Sequence, residues 1–169
     1  MQPYSERYDF SFKYMPSLCS SQKKKPVYIN PTTIYGILKN NPTFSKIVKL
    51  IERGNLSEYL TKEFYENGYT LFVVEDKNMP DSFVNTMDLF TSRQFINSYL
   101  INGIADKKYL IANGSSVYSP FTRENPILAV VTERNNIYIN KVGKLMYSIP
   151  ASNGIIHVLD NIAQIDYRT

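Results

Sequence analysis

The sequence predicts an α+β domain, with helices gathered in its first half and a sheet in its second, behind an extended amino-terminal arm. Three observations carry that expectation. Apolar residues recur at helical spacing through residues 43–60 and 81–102. From residue 108 onward, short β-branched and aromatic runs are separated by turn-forming residues. The first 40 residues instead alternate aromatic with polar side chains and are punctuated by proline. Helices first and strands later describe segregated layers rather than an alternating parallel sheet. A chain of 169 residues with 43% hydrophobic and 20% charged residues suits one domain. At this size a fold buries roughly 70% of the surface its unfolded chain exposes, without disulfides or a structural metal. The expected division is an extended arm over residues 1–40 and a folded domain over residues 41–169.

In the arm, Tyr4, Tyr8, Phe10, Phe12 and Tyr14 alternate with polar residues, and Pro16, Lys23-Lys24-Lys25, Pro26 and Pro31 follow. Alternation means an extended segment, too short to bury its own aromatics, so it lies across the body, adds to a sheet edge of a partner, or stays mobile. Thr32 or Thr33 can cap a short helix through Ile34 to Leu38, which ends at Asn40-Asn41-Pro42. A second helix begins near Thr43, with Phe44, Ile47, Val48, Leu50 and Ile51 on one face and Gly54 as its stop. A third is expected from Asn55 or Ser57, with Leu56, Tyr59, Leu60 and Phe64 apolar, before Asn67-Gly68 turns the chain. Tyr69 to Val74 reads as a strand, and residues 81–102 as one further helix ending at Asn102-Gly103. Expected strands then cover Lys108–Ala112, Ser116–Tyr118, Ile127–Thr132, Ile137–Asn140, Lys144–Ile149 and Ile155–Asp160. Glu133-Arg134-Asn135-Asn136 joins two of them as a hairpin, and Asn113-Gly114 and Asn153-Gly154 mark positive-φ turns.

Charge is unevenly placed. The arm holds Arg7, Lys13, Lys23, Lys24, Lys25 and Lys39 against Glu6 and Asp9; of 19 basic and 15 acidic residues this leaves 13 of each in the body. A domain that grips nucleic acid across its surface carries a basic stripe. Only Lys23-Lys24-Lys25 qualifies, and three lysines before Pro26 read first as a solvated linker able to steer an acidic partner. The single cysteine, Cys19, allows no internal bridge and no cysteine cluster for zinc. The amino terminus lacks the apolar run of a signal peptide, and no stretch approaches about 18 uninterrupted apolar residues. An intracellular or virion location and no membrane span are therefore expected. His157 is the only histidine, so any nucleophile–histidine–carboxylate chemistry would have to use it. It lies mid-strand between apolar neighbours, which calls for hydrogen-bond partners at both ring nitrogens and a bracing role. The expectation is no catalytic residue, no metal site and no cofactor.

Ala151 to Asp160 resembles the second signature of fasciclin-like domains, Asn-Gly-x-Ile-His-x-x-Asp, carried here by Asn153, Gly154, His157 and Asp160. The family's first signature, Thr-x-Phe-Ala-Pro-Thr-Asp, is matched at Thr70, Phe72 and Asp76, with Val74 in the proline's place. Ile139 to Gly143 is similar to the family's Val-Asn-Gly segment, and Phe44 to Leu60 to its opening helices, so the resemblance runs from about Thr43 to Ala163. It implies a β-sandwich or wedge with helices packed on it, in which the two signatures are adjacent strands and Thr70, Asp76 or nearby backbone comes within reach of His157. It also implies an adhesion or interaction module rather than an enzyme. The family's Tyr-His pair, implicated in integrin adhesion, falls at Ser98-Tyr99, and its Asp-Ile pair at Ser148-Ile149. Integrin-type recognition is not expected.

The functional expectation is a non-enzymatic module that cements a protein assembly, with Tyr4, Tyr8, Phe10, Phe12, Tyr14, Lys23, Lys24 and Lys25 as the arm's partner-binding residues. Tyr, Asn, Ile and Lys make up about 35% of the chain, the bias of an A/T-rich genome such as those of many large DNA viruses. A minor capsid protein, with other capsid proteins as partners, is the expected setting. The alternative is a cell-surface adhesion domain, which the glycosylation patterns Asn55-Leu56-Ser57 and Asn113-Gly114-Ser115 would serve. Nucleic-acid binding through the basic arm is the third reading.

Overall fold

A computed structural model describes residues 29–62, 68–118 and 128–162. Helix α1 (Ile34–Lys39) starts at Thr33, whose hydroxyl accepts from the Gly36 amide. A 3-10 turn over Pro42–Phe44 leads into α2 (Ser45–Arg53), which buries Ile47, Val48, Leu50 and Ile51. Strand β1 (Tyr69–Val74) follows, then α3 (Asp81–Thr86), α4 (Leu89–Ser98), β2 (Leu100–Asn102) and α5 (Lys107–Ala112). The remaining strands are β3 (Ser116–Tyr118), β4 (Leu128–Glu133), β5 (Asn136–Ile139), β6 (Gly143–Ala151) and β7 (Gly154–Leu159).

Three expectations are corrected. The helix expected after Asn55 is, within the described residues, a single 3-10 turn over Tyr59–Thr61. Asn55 takes φ 59 just past Gly54, which redirects the chain, and Leu56 and Leu60 are nevertheless buried. The long helix over 81–102 is two helices and a strand. Met87 is extended, and Asp88 and Thr91 form a capping box that starts α4 afresh. The Arg53 guanidinium donates to the carbonyls of Val84 and Met87 at the loosened end of α3. After α4, Tyr99 offers its carbonyl to the Phe72 amide at 3.0 Å, and pairing with β1 converts Leu100–Asn102 to strand. Lys108–Ala112, expected as a strand, is helix α5. Asp106 accepts from the Tyr109 amide as its N-cap, and Gly114 at φ 63 follows its end.

Among the described residues the strands form one sheet in the order β2-β1-β7-β6-β5-β4-β3. Only β1 and β7 run parallel; the other neighbours are antiparallel. Arg134 and Asn135, at φ 53 and 65, make the expected β4–β5 hairpin turn. Both β1 and β7 are buried along their whole length, as in a strand covered on both faces. The core joins Leu71, Val73 and Ile156 to Phe44, Leu50, Ile51, Phe95 and Tyr99 from the helical layer.

Strand β6 is divided. Lys144 and Gly143 pair with β5, whereas the run from the bulge between Leu145 and Tyr147 out to Ala151 pairs with β7 alone. The last part of the expected arm that is described, residues 29–40, lies against the body. Ile34, Tyr35 and Leu38 are in the core, and the Ser152 amide donates to the Thr32 carbonyl at 2.8 Å. Tyr4, Tyr8, Phe10, Phe12, Tyr14 and Lys23, Lys24 and Lys25 lie outside the described residues.

Candidate functional site

His157 stands fourth in β7, paired with Phe72 of β1 on one side and Ser148 of β6 on the other. It has no exposed surface, and its ring lies 5.2 Å from that of Phe72. Nε2 is 2.7 Å from the Ala105 carbonyl oxygen and Nδ1 is 2.6 Å from Ser148 Oγ. A carbonyl only accepts, so Nε2 carries the hydrogen, and in the neutral ring Nδ1 accepts from the Ser148 hydroxyl. Burial pushes the imidazole pKa below its ordinary value, outweighing the Ala105 carbonyl and the Asp106 charge, which act the other way.

The other signature residues converge on the same scaffold. Thr70, fully buried, donates from Oγ1 to the Gly103 carbonyl at 2.7 Å and accepts from the Ala105 amide at 2.8 Å. It thus anchors, through the amide of Ala105, the residue whose carbonyl meets His157. Asp76 does not approach the histidine. Its carboxylate accepts from the Lys46 amide at 2.8 Å and the Ser45 hydroxyl at 2.5 Å, capping α2, which has no capping side chain of its own. Asn153 accepts from the Ile34 amide at 2.9 Å and donates to the carbonyls of Leu60 and Lys62 at 2.8 and 2.9 Å, clamping α1 and the 3-10 turn to the end of the sheet. A Cβ on Gly154 would lie 2.0 Å from the Tyr69 carbonyl oxygen, so only glycine lets β1 and β7 start side by side. Asp160 and Lys144 exchange two bonds, amide to carboxylate and amide to carbonyl.

Ser148 hydrogen-bonded to His157 has the outline of a nucleophile and its base. The opposite nitrogen, however, meets a backbone carbonyl where such a device carries a carboxylate, and the ring is sealed from any substrate that a base must touch. A recess of about 340 Å³, lined by Asn78, Pro80, Phe83 and Ile162 among others, includes neither Ser148 nor His157. Among the described residues no group of three or more His, Cys, Asp or Glu is placed to hold a metal ion. What the cluster does chemically is hold strands and loops in register.

Sequence reasoning missed the histidine's two partners. Ser148 was visible only as a departure from the family's Asp-Ile pair; its place opposite His157 depends on the β6–β7 register, which the bulge shifts. Ala105 contributes only backbone, for which no residue type is a signal. It also missed the Tyr147 hydroxyl, which donates to Glu75 at 2.8 Å; burial and this carboxylate push the phenol up to about 12. At the position of the family's Tyr-His pair, Ser98 and Tyr99 are each 1% exposed and offer no surface for recognition.

The fasciclin domain family model matches residues 42–164. The chain belongs to the fasciclin domain family. Its fold is similar to the solved structure of a FAS1 domain pair from the insect cell adhesion molecule fasciclin I, at TM-score 0.62 and 21% identity over 77% of this chain and 50% of that one. The present fasciclin chain thus spans about half the length of that pair. None of the curated proteins matches it by sequence. No helix among the described residues is long and apolar enough to cross a membrane.

Proposed function

We propose that this fasciclin domain is a non-enzymatic protein–protein interaction module that holds neighbouring proteins together, the folded domain over residues 41–169 and the arm over residues 1–40 each making contacts. The observation that carries the reading is the internal use of its chemistry: both ring nitrogens of the buried His157 are taken by Ser148 and Ala105. Phe90, Ile104 and Met146, 63%, 56% and 53% exposed, are apolar side chains that a neighbouring protein can cover. The arm's part falls to Tyr4, Tyr8, Phe10, Phe12 and Tyr14, with Lys23, Lys24 and Lys25 steering an acidic neighbour. Composition favours a minor capsid protein inside a virion; likeness to a cell adhesion molecule favours an adhesion domain at a cell surface.

Recovery of the full chain from its native source tests the reading. Co-purifying structural proteins of a particle, retained at high salt and without glycan at Asn55 or Asn113, are the expected result. Glycan at either position together with surface proteins moves the module to the adhesion setting. A solitary monomer overturns it. Retention that falls steeply with salt and disappears in the K23A/K24A/K25A triple variant replaces it with nucleic-acid binding.

A further inference from the structure

Among the described residues the outer half of β6 is an open strand edge, and the arm joins the body beside it. Ala151 and Gly154 close the two-residue Ser152-Asn153 turn, and such a closing pair is hydrogen-bonded. Ile149 shares that inward set, so Ser148 and Pro150 turn their backbone groups away from β7. Pro150 fits this assignment, since in sheets proline is tolerated where its missing N–H faces an edge. The next outward amide, that of Ser152, already donates to Thr32, so the first rung on this side is made by the residue where the arm enters. Beyond it, among the described residues, no strand pairs with Met146, Ser148 or Pro150 on the outward side. The edge is also apolar: Met146 and Tyr147 are exposed, and Ile149 and Ala151 are half-buried against the core, as is Ile29. An uncovered apolar edge is a liability that folds manage by covering it.

The sequence holds a fitting cover. In an extended run from residue 4 to residue 14, Tyr4, Tyr8, Phe10, Phe12 and Tyr14 share one face with Glu6, while Ser5, Arg7, Asp9, Ser11 and Lys13 share the other. Residues 15–28 can span up to about 48 Å, against about 20 Å for a six-residue edge. A strand tethered this closely meets the edge at an effective concentration on the order of millimolar.

We propose that residues 4–14 of the chain's own arm add to the outer edge of β6 as a further strand, their aromatic face continuing the row formed by Tyr147, Ile149 and Ala151. This goes beyond the interaction reading and revises it at one point: with Tyr4, Tyr8, Phe10, Phe12 and Tyr14 docked on their own domain, the arm's contacts with neighbours fall to Lys23, Lys24 and Lys25 and to the outer edge of the added strand. Amide hydrogen exchange on the full chain tests it, at low and high protein concentration, against a full-length Tyr8→Ser, Phe10→Ser, Phe12→Ser variant. The Ser148 amide, turned outward, exchanges about tenfold or more slowly in the unaltered chain than in the variant, independent of concentration. The Ile149 amide, turned to β7, is the internal control and stays equally slow in both. Fast exchange of Ser148 in both proteins, or equally slow exchange in both, overturns the proposal. Protection that appears only at high concentration places the strand on a neighbouring copy and overturns docking on its own edge. If the triple variant also speeds Ile149, Ser11→Pro decides, because it blocks strand pairing while keeping every aromatic: loss of Ser148 protection supports the proposal and its retention overturns it.

Discussion

Strands β7 and β6 lie side by side, yet among the described residues one is enclosed throughout and the other is open over half its length. β7 has a partner on both sides and keeps every residue from Gly154 to Leu159 buried. Beyond the bulge, β6 has one partner among the described residues and exposes Met146, Tyr147 and Pro150. The polar residues of the family signature belong to the enclosed strand and its immediate surroundings, where each is hydrogen-bonded within the molecule. What this difference teaches is that the signature identifies the frame, while the surface free for contact lies on residues the signature leaves unspecified.

The contrast can be broken first at Gly154. A methyl group there meets the Tyr69 carbonyl, so Gly154→Ala is expected to cost about 4 kcal/mol or more, read as loss of a cooperative denaturant transition. His157→Ala leaves a cavity beside Phe72 and strands Ser148 and Ala105, an expected loss of about 3 kcal/mol in the denaturant midpoint. Asn153→Ala removes three hydrogen bonds at the junction with α1 and is expected to cost about 2 kcal/mol. Because the folded state holds the His157 pKa below its unfolded value, the unfolded chain binds the extra proton. Stability is therefore full above about pH 6.5 and falls as the pH drops through the histidine range, by at most about 1.4 kcal/mol per pH unit from this group. Denaturant melts across that range check it, and His157→Gln should flatten the slope. On the open strand, Met146→Ser should stay within about 0.5 kcal/mol. A loss there as large as that at His157 would erase the distinction between the two strands.

Much of the frame was legible because its signals are local. The alternation and branching of Tyr69 to Val74, the turn at Arg134-Asn135 and the Asn153-Gly154 signature each specify their conformation from neighbouring residues. Failures came where a distant contact decides. Leu100–Asn102 carries a helical spacing of apolar residues but is held as strand by β1. Lys108–Ala112 looked like a strand because its apolar run is short; the deciding signal was Asp106, a cap ahead of the run. At the candidate site, the burial of His157 followed from its flanking isoleucine, valine and leucine residues. Its partners did not, since one is a carbonyl delivered by a loop that Thr70 anchors and the other depends on a bulge.

The strand order also bears on synthesis. Among the described residues β7 is the last strand in sequence and the third in the sheet, inserted between β1 and β6, and its Gly154 pairs with Tyr69 from 85 positions earlier (154 less 69). A ribosome releasing this polypeptide delivers the keystone after every other described strand of the sheet. Until residue 159 emerges, the buried edge of β1 lacks its parallel partner, so a nascent chain carries an unzipped hydrophobic strand, exposed to chaperones and to its own neighbours, through the synthesis of the long stretch between the two.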